Sequence, residues 1–465
     1  MSSTGWSLCE WPVTSHGMLT RALWMVVAVV LAGSVELCAS TPTPTPTPKL
    51  TIKTERTLAP GITYREYRTN GRRPSLVHVV AVNRTVAGNA IRVVKAMNHA
   101  LSREPLVPMA DRYEVINGDA VMAMVNANFW AAVRNNPIGP CVVDGEVVEM
   151  TPHKQWSSAF FDARNRLLID TFRLQGSVTI GTARLPIAST NRRSDSTGVV
   201  VYNQYGGKTV PFITPEQLEW LWQQSASERR TMGDDSTEQD VTEADLRAEM
   251  ARAHLEQNRE HPMVKIQVRY LRFPSVNRTT PCRVLAVDTG IVSTPLRGAV
   301  ISLPRSALAG LVPEAGDTVF LEFKTNIHDH LHFMNAVSGT PRLVRNGVSG
   351  HEAAREGVTG KRFIRQHLAR TALGCDETGE TIYLVAVEPS RKDRSAYGAT
   401  LADLAAIMEA LGAHDAMNLD GGGSTGMVVE NRHAFFDEAV ETRPVSVGLA
   451  VVRLHHVLRA HQYSK

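Results

Sequence analysis

Cysteine is scarce in this chain, aromatic residues are few, and only one long apolar run occurs. Each shortage excludes a class of protein. Five cysteines are spread over 465 residues, and Cys9 and Cys38 fall in the first forty. Cys141, Cys282 and Cys375 remain, without metal-type spacing and too few for a disulfide framework. One disulfide with a free thiol and three buried thiols are both compatible with that count. Aromatic residues make up 6% and the net charge is +4, with no basic run interleaved with aromatics. A nucleic-acid partner is therefore not expected. The one apolar run, residues 22–33, is about a dozen residues long, short of the roughly 20 that a membrane-crossing helix needs.

That run has the make-up of an address. Arg21 precedes it, and the small residues Ala39 and Ser40 follow it. Residues 1–40 are expected to be a signal peptide or an N-terminal anchor, with cleavage, lipidation at Cys38 and retention all open. Membrane contact would then be confined to an uncleaved leader, and the body would be secreted, periplasmic or held in the cell envelope. Residues 41–49 follow as a linker built on a strict Thr-Pro repeat. Proline at every second position forbids helix and sheet ladders and favours an extended spacer.

The chain as a whole is 43% apolar, enough for a sizeable core in residues 50–465. Short β-branched runs recur between turn residues, as in Val77–Val82, Ala90–Val94, Leu167–Ile169, Val264–Val268, Thr318–Leu321 and Ile382–Val387. Helical spacing appears in few places. The expectation is an α+β fold: one twisted, mostly antiparallel sheet with a few packed helices in a single catalytic body. A charged helical insertion is expected at 215–261, where Thr242 and Asp245 have capping-box spacing. It reads as a solvated arm.

The most informative stretch is Asn418-Leu419-Asp420-Gly421-Gly422-Gly423-Ser424-Thr425. A short apolar run delivers an aspartate, and three glycines and two hydroxyls follow at once. Glycines reach backbone conformations closed to other residues and leave their N–H groups uncovered. Such a turn can form an anion-binding nest, and a capped glycine-rich hairpin has the same composition. Upstream, Thr400 and Asp403 have the spacing of a second capping box. Leu401, Leu404, Ile407, Met408 and Leu411 then recur at helical spacing up to Gly412.

This segment resembles the phosphodiester glycosidase family, and further stations follow in the family's order. They are Asn126-Ala127-Asn128-Phe129-Trp130, Pro137-Ile138-Gly139-Pro140, Asp144-Gly145-Glu146, Asn191-Arg192 and Val199–Tyr202 with Tyr205-Gly206. Pro341–Gly347 and His367–Gly374 complete the set. The resemblance spans about Leu76 to Leu454. One departure stands out: where the family has an Asp-Gly-Arg turn, this chain has Glu388-Pro389-Ser390-Arg391.

The resemblance implies a glycosyl-1-phosphodiester substrate, a sugar phosphate or glycan, and calls for no cofactor. Hydrolysis at the anomeric carbon passes through an oxocarbenium-like state that a carboxylate stabilises. Asp420 is the first candidate for that carboxylate and Glu388 the second. Arg370 is expected to hold the leaving phosphate bidentately. Gly421, Gly422, Gly423 and Ser424 are expected to support the same charge, with Thr371, Asn418, Asn126, Asn128 and Arg443 as further substrate contacts. Two other outcomes stay open: a non-catalytic binder of sugar-phosphate polymers, and a phosphodiesterase that cleaves the phosphorus–oxygen bond. His328, His330 and His332 would share one face of a strand, an arrangement that can bind a transition metal. A turn or strand end is the favoured reading, and no metal is assigned.

Overall fold

The computed structural model describes residues 47–211, 258–437 and 442–455, together with Ala248, Ala251, Leu255 and Glu256. The leader, most of the Thr-Pro linker and nearly all of 215–261, including the Thr242/Asp245 spacing, lie outside the described residues. Among those described, no helix is long and apolar enough to cross a membrane.

Two sheets face each other across the main core. One has eight strands, in the order Leu50–Ala59, Ile62–Thr69, Leu76–Asn83, Thr381–Val387, Arg370–Cys375, Asp415–Asn418, Arg342–Arg345 and Val348–Ser349. The other has five, in the order Arg432–His433, Met427–Val429, Ala120–Asn126, Val447–Arg453 and Asn89–Lys95. Alternation along each strand divides its residues between two faces. Val80, Val82, Leu373, Leu384 and Ala386 of the first sheet meet Ile91, Val93, Val125, Leu449 and Val451 of the second.

The outer faces are equally apolar, and a helix covers each. Helix Leu401–Ala410 buries Leu401, Leu404, Ile407 and Met408 against Val77, Val79, Val385 and Val387. Its start is as the sequence indicated. Thr400 Oγ1 accepts from the Asp403 amide at 3.1 Å, and the Asp403 carboxylate accepts from the Thr400 amide at 3.0 Å. Helix Leu106–Asn117 covers the other side with Leu106, Met109 and Tyr113. The layers therefore run helix, sheet, sheet, helix.

A third assembly departs from expectation. Strands Leu174–Ile180, Ala183–Thr190, Val199–Tyr202, Gly298–Leu303, Val264–Tyr270, Thr280–Asp288 and Thr318–Thr325 close into a seven-stranded barrel with its own core. A further five-stranded sheet serves both cores: Phe160 and Ala336 face the barrel, while Phe161 and Val337 face the layered body. The expected α+β fold with one sheet is thus corrected. The molecule is mostly sheet, 44% strand against 13% helix, divided among a barrel and several sheets. The runs read as strands are strands, yet closure depends on Leu174–Ile180 pairing with Thr318–Thr325 far along the chain. Local alternation carries no trace of such a partner.

Cys141, Cys282 and Cys375 are all buried free thiols. The histidine trio lies in the turn between strands Thr318–Thr325 and Phe333–Ser338, with His328 at φ 54° against Phe172. The strand face that would have aligned the three imidazoles does not form.

Candidate active site

Asp420 sits where the chain leaves one sheet for the other. Leu419 still donates its amide to Thr371 of the eight-stranded sheet, at 2.9 Å, whereas the Asp420 amide donates to Ala127, just beyond a strand of the five-stranded sheet, also at 2.9 Å. The change of partner delivers the carboxylate to the junction of the two layers. Asn126, fully buried at the end of its strand, holds the turn from the other side. Its Nδ2 donates to the Asp420 carbonyl at 2.6 Å. Its Oδ1 accepts from Thr371 Oγ1 at 2.6 Å and from the Gly426 amide at 3.1 Å. Asn126 and Thr371 are therefore a clamp across the two sheets, with their polar atoms committed to the protein.

The glycine turn is tied down more than an open anion nest would be. The Gly421 amide donates to Asp420 Oδ1 at 2.9 Å, and the Gly422 amide to the Ala369 carbonyl at 2.8 Å. Gly422–Ser424 forms a single 3-10 turn that buries Ser424, with Gly422 at φ 59°, a conformation open to glycine at little cost. The Gly423 amide has no acceptor among the described residues. Gly423 also lets the Arg443 side chain close in, since a Cβ there would lie 2.8 Å from the guanidinium carbon. Arg443 is half-buried and has no ion pair or hydrogen bond among the described residues.

Arg370 differs from the expected bidentate fork. It is fully buried, with Nε donating to the Ala399 carbonyl at 2.9 Å and Nη2 to the carbonyls of Phe363 and Gln366 at 2.6 and 3.2 Å. Only Nη1 has no partner. Burial pulls the guanidinium pKa down to about 10, with the Asp403 charge opposing, so the group stays charged at neutral pH. The side chain stacks on the Phe363 ring at 5.0 Å and passes 3.8 Å from the position of a Gly421 Cβ.

Several other buried polar atoms, in the segments flanking the turn or around Arg370, have no partner among the described residues. They include Asn128 Oδ1, Asn418 Oδ1, Thr425 Oγ1, His351 Nδ1 and Trp156 Nε1. A folded interior leaves few such atoms without a protein or water partner. Asn128 and Asn418 each spend Nδ2 on backbone carbonyls and keep the acceptor oxygen. His351 is depressed below its usual value, first by burial and further by the Arg370 charge. Trp156 packs on Phe129 at 5.2 Å, and Phe129 on Phe363 at 6.0 Å, which carries the aromatic wall round to Arg370. Thr425 is one of the two hydroxyls that the sequence places after the glycines, whereas His351 and Trp156 were not singled out, because nothing local distinguishes a lone His or Trp.

Glu388 stands one residue beyond the Arg370–Val387 pair. Its carboxylate accepts from His78 Nε2 at 2.9 Å and takes two nitrogens of Arg391, while His78 Nδ1 meets the Tyr64 hydroxyl at 2.8 Å. Burial pushes the Glu388 pKa up, but the bonds and charges of His78 and Arg391 outweigh it and hold the group below its ordinary value. A carboxylate so committed supports the end of the sheet beside the glycine turn. A cavity of about 480 Å³ lies elsewhere, between the 131–136 turn and Leu255, Glu256 and Arg259; neither Asp420 nor Arg370 lines it.

Residues 277–452 match the phosphodiester glycosidase family model. None of the curated proteins matches the chain. Among solved structures, a hypothetical protein from Synechocystis is 19% identical over 88% of this chain and 68% of its own, with a TM-score of 0.58. A protein of Burkholderia pseudomallei described as exported is 16% identical over 88% of this chain and 98% of its own, with a TM-score of 0.55. Both likenesses are of fold. The catalytic domain of zebrafish N-acetylglucosamine-1-phosphodiester alpha-N-acetylglucosaminidase, auto-inhibited by its pro-peptide, is 12% identical over 87% and 88%, with a TM-score of 0.41. That likeness is too loose to align site residues.

Proposed function

We propose that this chain is an exported hydrolase that cleaves a glycosyl-1-phosphodiester on the sugar side, within cell-wall, exopolysaccharide or similar glycans. One observation carries the reading. The Asp420 carboxylate and Arg443, which closes on Gly423, meet at the glycine turn, and Arg370, with its Nη1 unpartnered, packs against Gly421 of the same turn. A carboxylate and two arginines packed on one turn suit a reaction centre that turns positive next to a leaving group that turns negative. The family match over residues 277–452 supports the same chemistry.

In this reading Asp420 takes a proton from water as the water oxygen bonds to the anomeric carbon. The bond from that carbon to the phosphate oxygen breaks, and its electron pair leaves with the phosphomonoester. Arg443 and Arg370 Nη1 receive that charge, and the Gly423 amide adds a donor. Asn128 Oδ1 and Asn418 Oδ1 accept from sugar hydroxyls. The Phe129 and Trp156 rings, linked through Phe363 to Arg370, form an apolar wall on that side. Glu388, held by His78 and Arg391, acts on the geometry of the turn and not on the substrate.

Hydrolysis of a synthetic sugar-1-phosphodiester in heavy-oxygen water tests this. Label in the sugar is the expected result. Label in the phosphate would make the chain a phosphodiesterase that cleaves the phosphorus–oxygen bond. Tight binding without product would make it a binder of sugar-phosphate polymers.

A further inference from the structure

A band of positive charge lies at the strand ends of the sheet that carries Arg370. Three segments meet there. The turn before Leu76 joins the loop at 391–399 through Tyr397 N–H to Pro74 O at 2.8 Å and Ser75 Oγ to Gly398 O at 3.2 Å. The short helix Lys361–Arg365 and the residues after it join the same loop, Leu368 and Ala399 exchanging both backbone bonds. Arg370 pins them together, since its guanidinium donates to Phe363 and Gln366 of one segment and Ala399 of the other.

These segments bring Arg72, Arg73, Lys361, Arg365, Lys392 and Arg394 to the surface, all exposed. None of the six has an ion pair among the described residues. Arg73 lies over the Tyr397 ring at 6.0 Å, which orients it without neutralising it. The acidic groups here are outnumbered. Glu388 is paired with His78 and Arg391 and Asp403 caps its helix, which leaves Asp393, bonded by Ser395 at 2.7 Å, and Glu66 as the remaining negative charges against six basic groups. A whole-chain net charge of +4 hides this local excess. Like charges carried on adjoining segments repel one another, and a polyanion that covers them relieves the repulsion.

We infer that this band is a track for a polyanionic glycan, so that the substrate is a polymer of repeated sugar phosphates and not one diester on a neutral aglycone. The inference rests on the reading of Asp420 and Arg443 as the reaction centre. The phosphate at that centre is one of a row, and its neighbours lie along Arg72, Arg73, Lys361, Arg365, Lys392 and Arg394. Each exposed contact is weak alone, but several on one chain add as linked binding events.

The test uses synthetic oligo(glycosyl-1-phosphates) from the single diester to the hexamer, with a neutral oligosaccharide of equal length as control. The wild type is compared with a variant carrying Arg72→Gln, Arg73→Gln, Arg365→Gln, Lys392→Gln and Arg394→Gln, its fold checked by circular dichroism. The hexamer should bind the wild type about tenfold more tightly than the single diester, and raising salt to about 0.3 M should remove most of that gain. The variant should lose the gain and keep its kinetics on the single diester. Equal affinity for the hexamer and the single diester, or equal hexamer binding by the variant, would overturn the track. So would vesicles of anionic phospholipid that bind as tightly as the hexamer through the same residues. Because binding is measured apart from turnover, a chain that holds the hexamer on this band but releases no product sinks the hydrolase reading and leaves the track standing.

Discussion

Asp420 and Arg443 carry opposite charges to one turn, and their replacements should fail differently. Asp420→Asn is nearly isosteric, and its side-chain oxygen can still accept from the Gly421 amide, so fold and substrate binding should persist. Its kcat on a sugar-1-phosphodiester should fall on the order of 100-fold, as when a general acid–base group is lost. Arg443→Ala should raise KM and lower kcat together, since it removes a charge felt by both bound phosphate and departing phosphate. Undiminished turnover by Asp420→Asn would remove that residue from the chemistry. Glu388 is a contrasting case. Its pKa is held below the ordinary value of 4.5, so its ionised form stabilises the fold above that pH. The contribution is lost as pH falls through the lowered value. Glu388→Gln should therefore cost on the order of 2 kcal/mol near neutrality, and the gap from wild type should close on acidification. Thermal melts across that range would show it, and a gap that widened in acid would contradict the assignment.

At the level of single elements, a helix cap and a glycine turn separate stability from activity. Thr400 closes a reciprocal capping box at the start of helix Leu401–Ala410. Thr400→Ala should cost about 1 kcal/mol by denaturant titration and leave kcat alone, because the helix lies on the outer face of the sheet. Gly422 stands at φ 59° in the turn that follows Asp420. Gly422→Ala should cost a similar amount, about 1 kcal/mol, yet lower kcat as well, because relaxing that strain shifts the Asp420 carboxylate. If both variants lost stability alone, the turn would be a hairpin without chemistry. The helix and its cap were readable from spacing because capping is a contact between neighbours in the chain. The commitment of the Gly421 and Gly422 amides was not, because their acceptors include Ala369, which only strand pairing brings near.

For the whole molecule, the charged segment at 215–261 is joined to the barrel at its end. Glu260 is 2% exposed and Arg193 is 1% exposed. The Glu260 carboxylate accepts from Arg193 at 2.5 Å, from the Tyr202 hydroxyl at 3.0 Å and from Ser302. Replacing 215–255 by a short Gly-Ser linker should leave a folded, active body, whereas Glu260→Ala should cost about 3–5 kcal/mol because it strands a buried guanidinium. A cooperative melt measured for each variant separates the cases. If Glu260→Ala melted like the wild type, the buried pair would not tie the segment to the barrel.

Sequence by itself determined what depends on neighbours in the chain. The strands of the layered body, the capped helix before the turn and the succession of strand, aspartate and glycines all follow from alternation, capping and backbone freedom. Tertiary structure decided what depends on partners distant in sequence. It closed seven strands into a barrel through pairings that no local pattern records. It spent Asn126, Thr371 and two of Arg370's three nitrogens on holding the sheets together. It brought Arg443 onto Gly423 and set His351 within reach of the Arg370 charge. A side chain's type sets which hydrogen bonds it is able to make. Whether those bonds go to the protein or are kept for a ligand is set by what the fold places within about 3 Å of it.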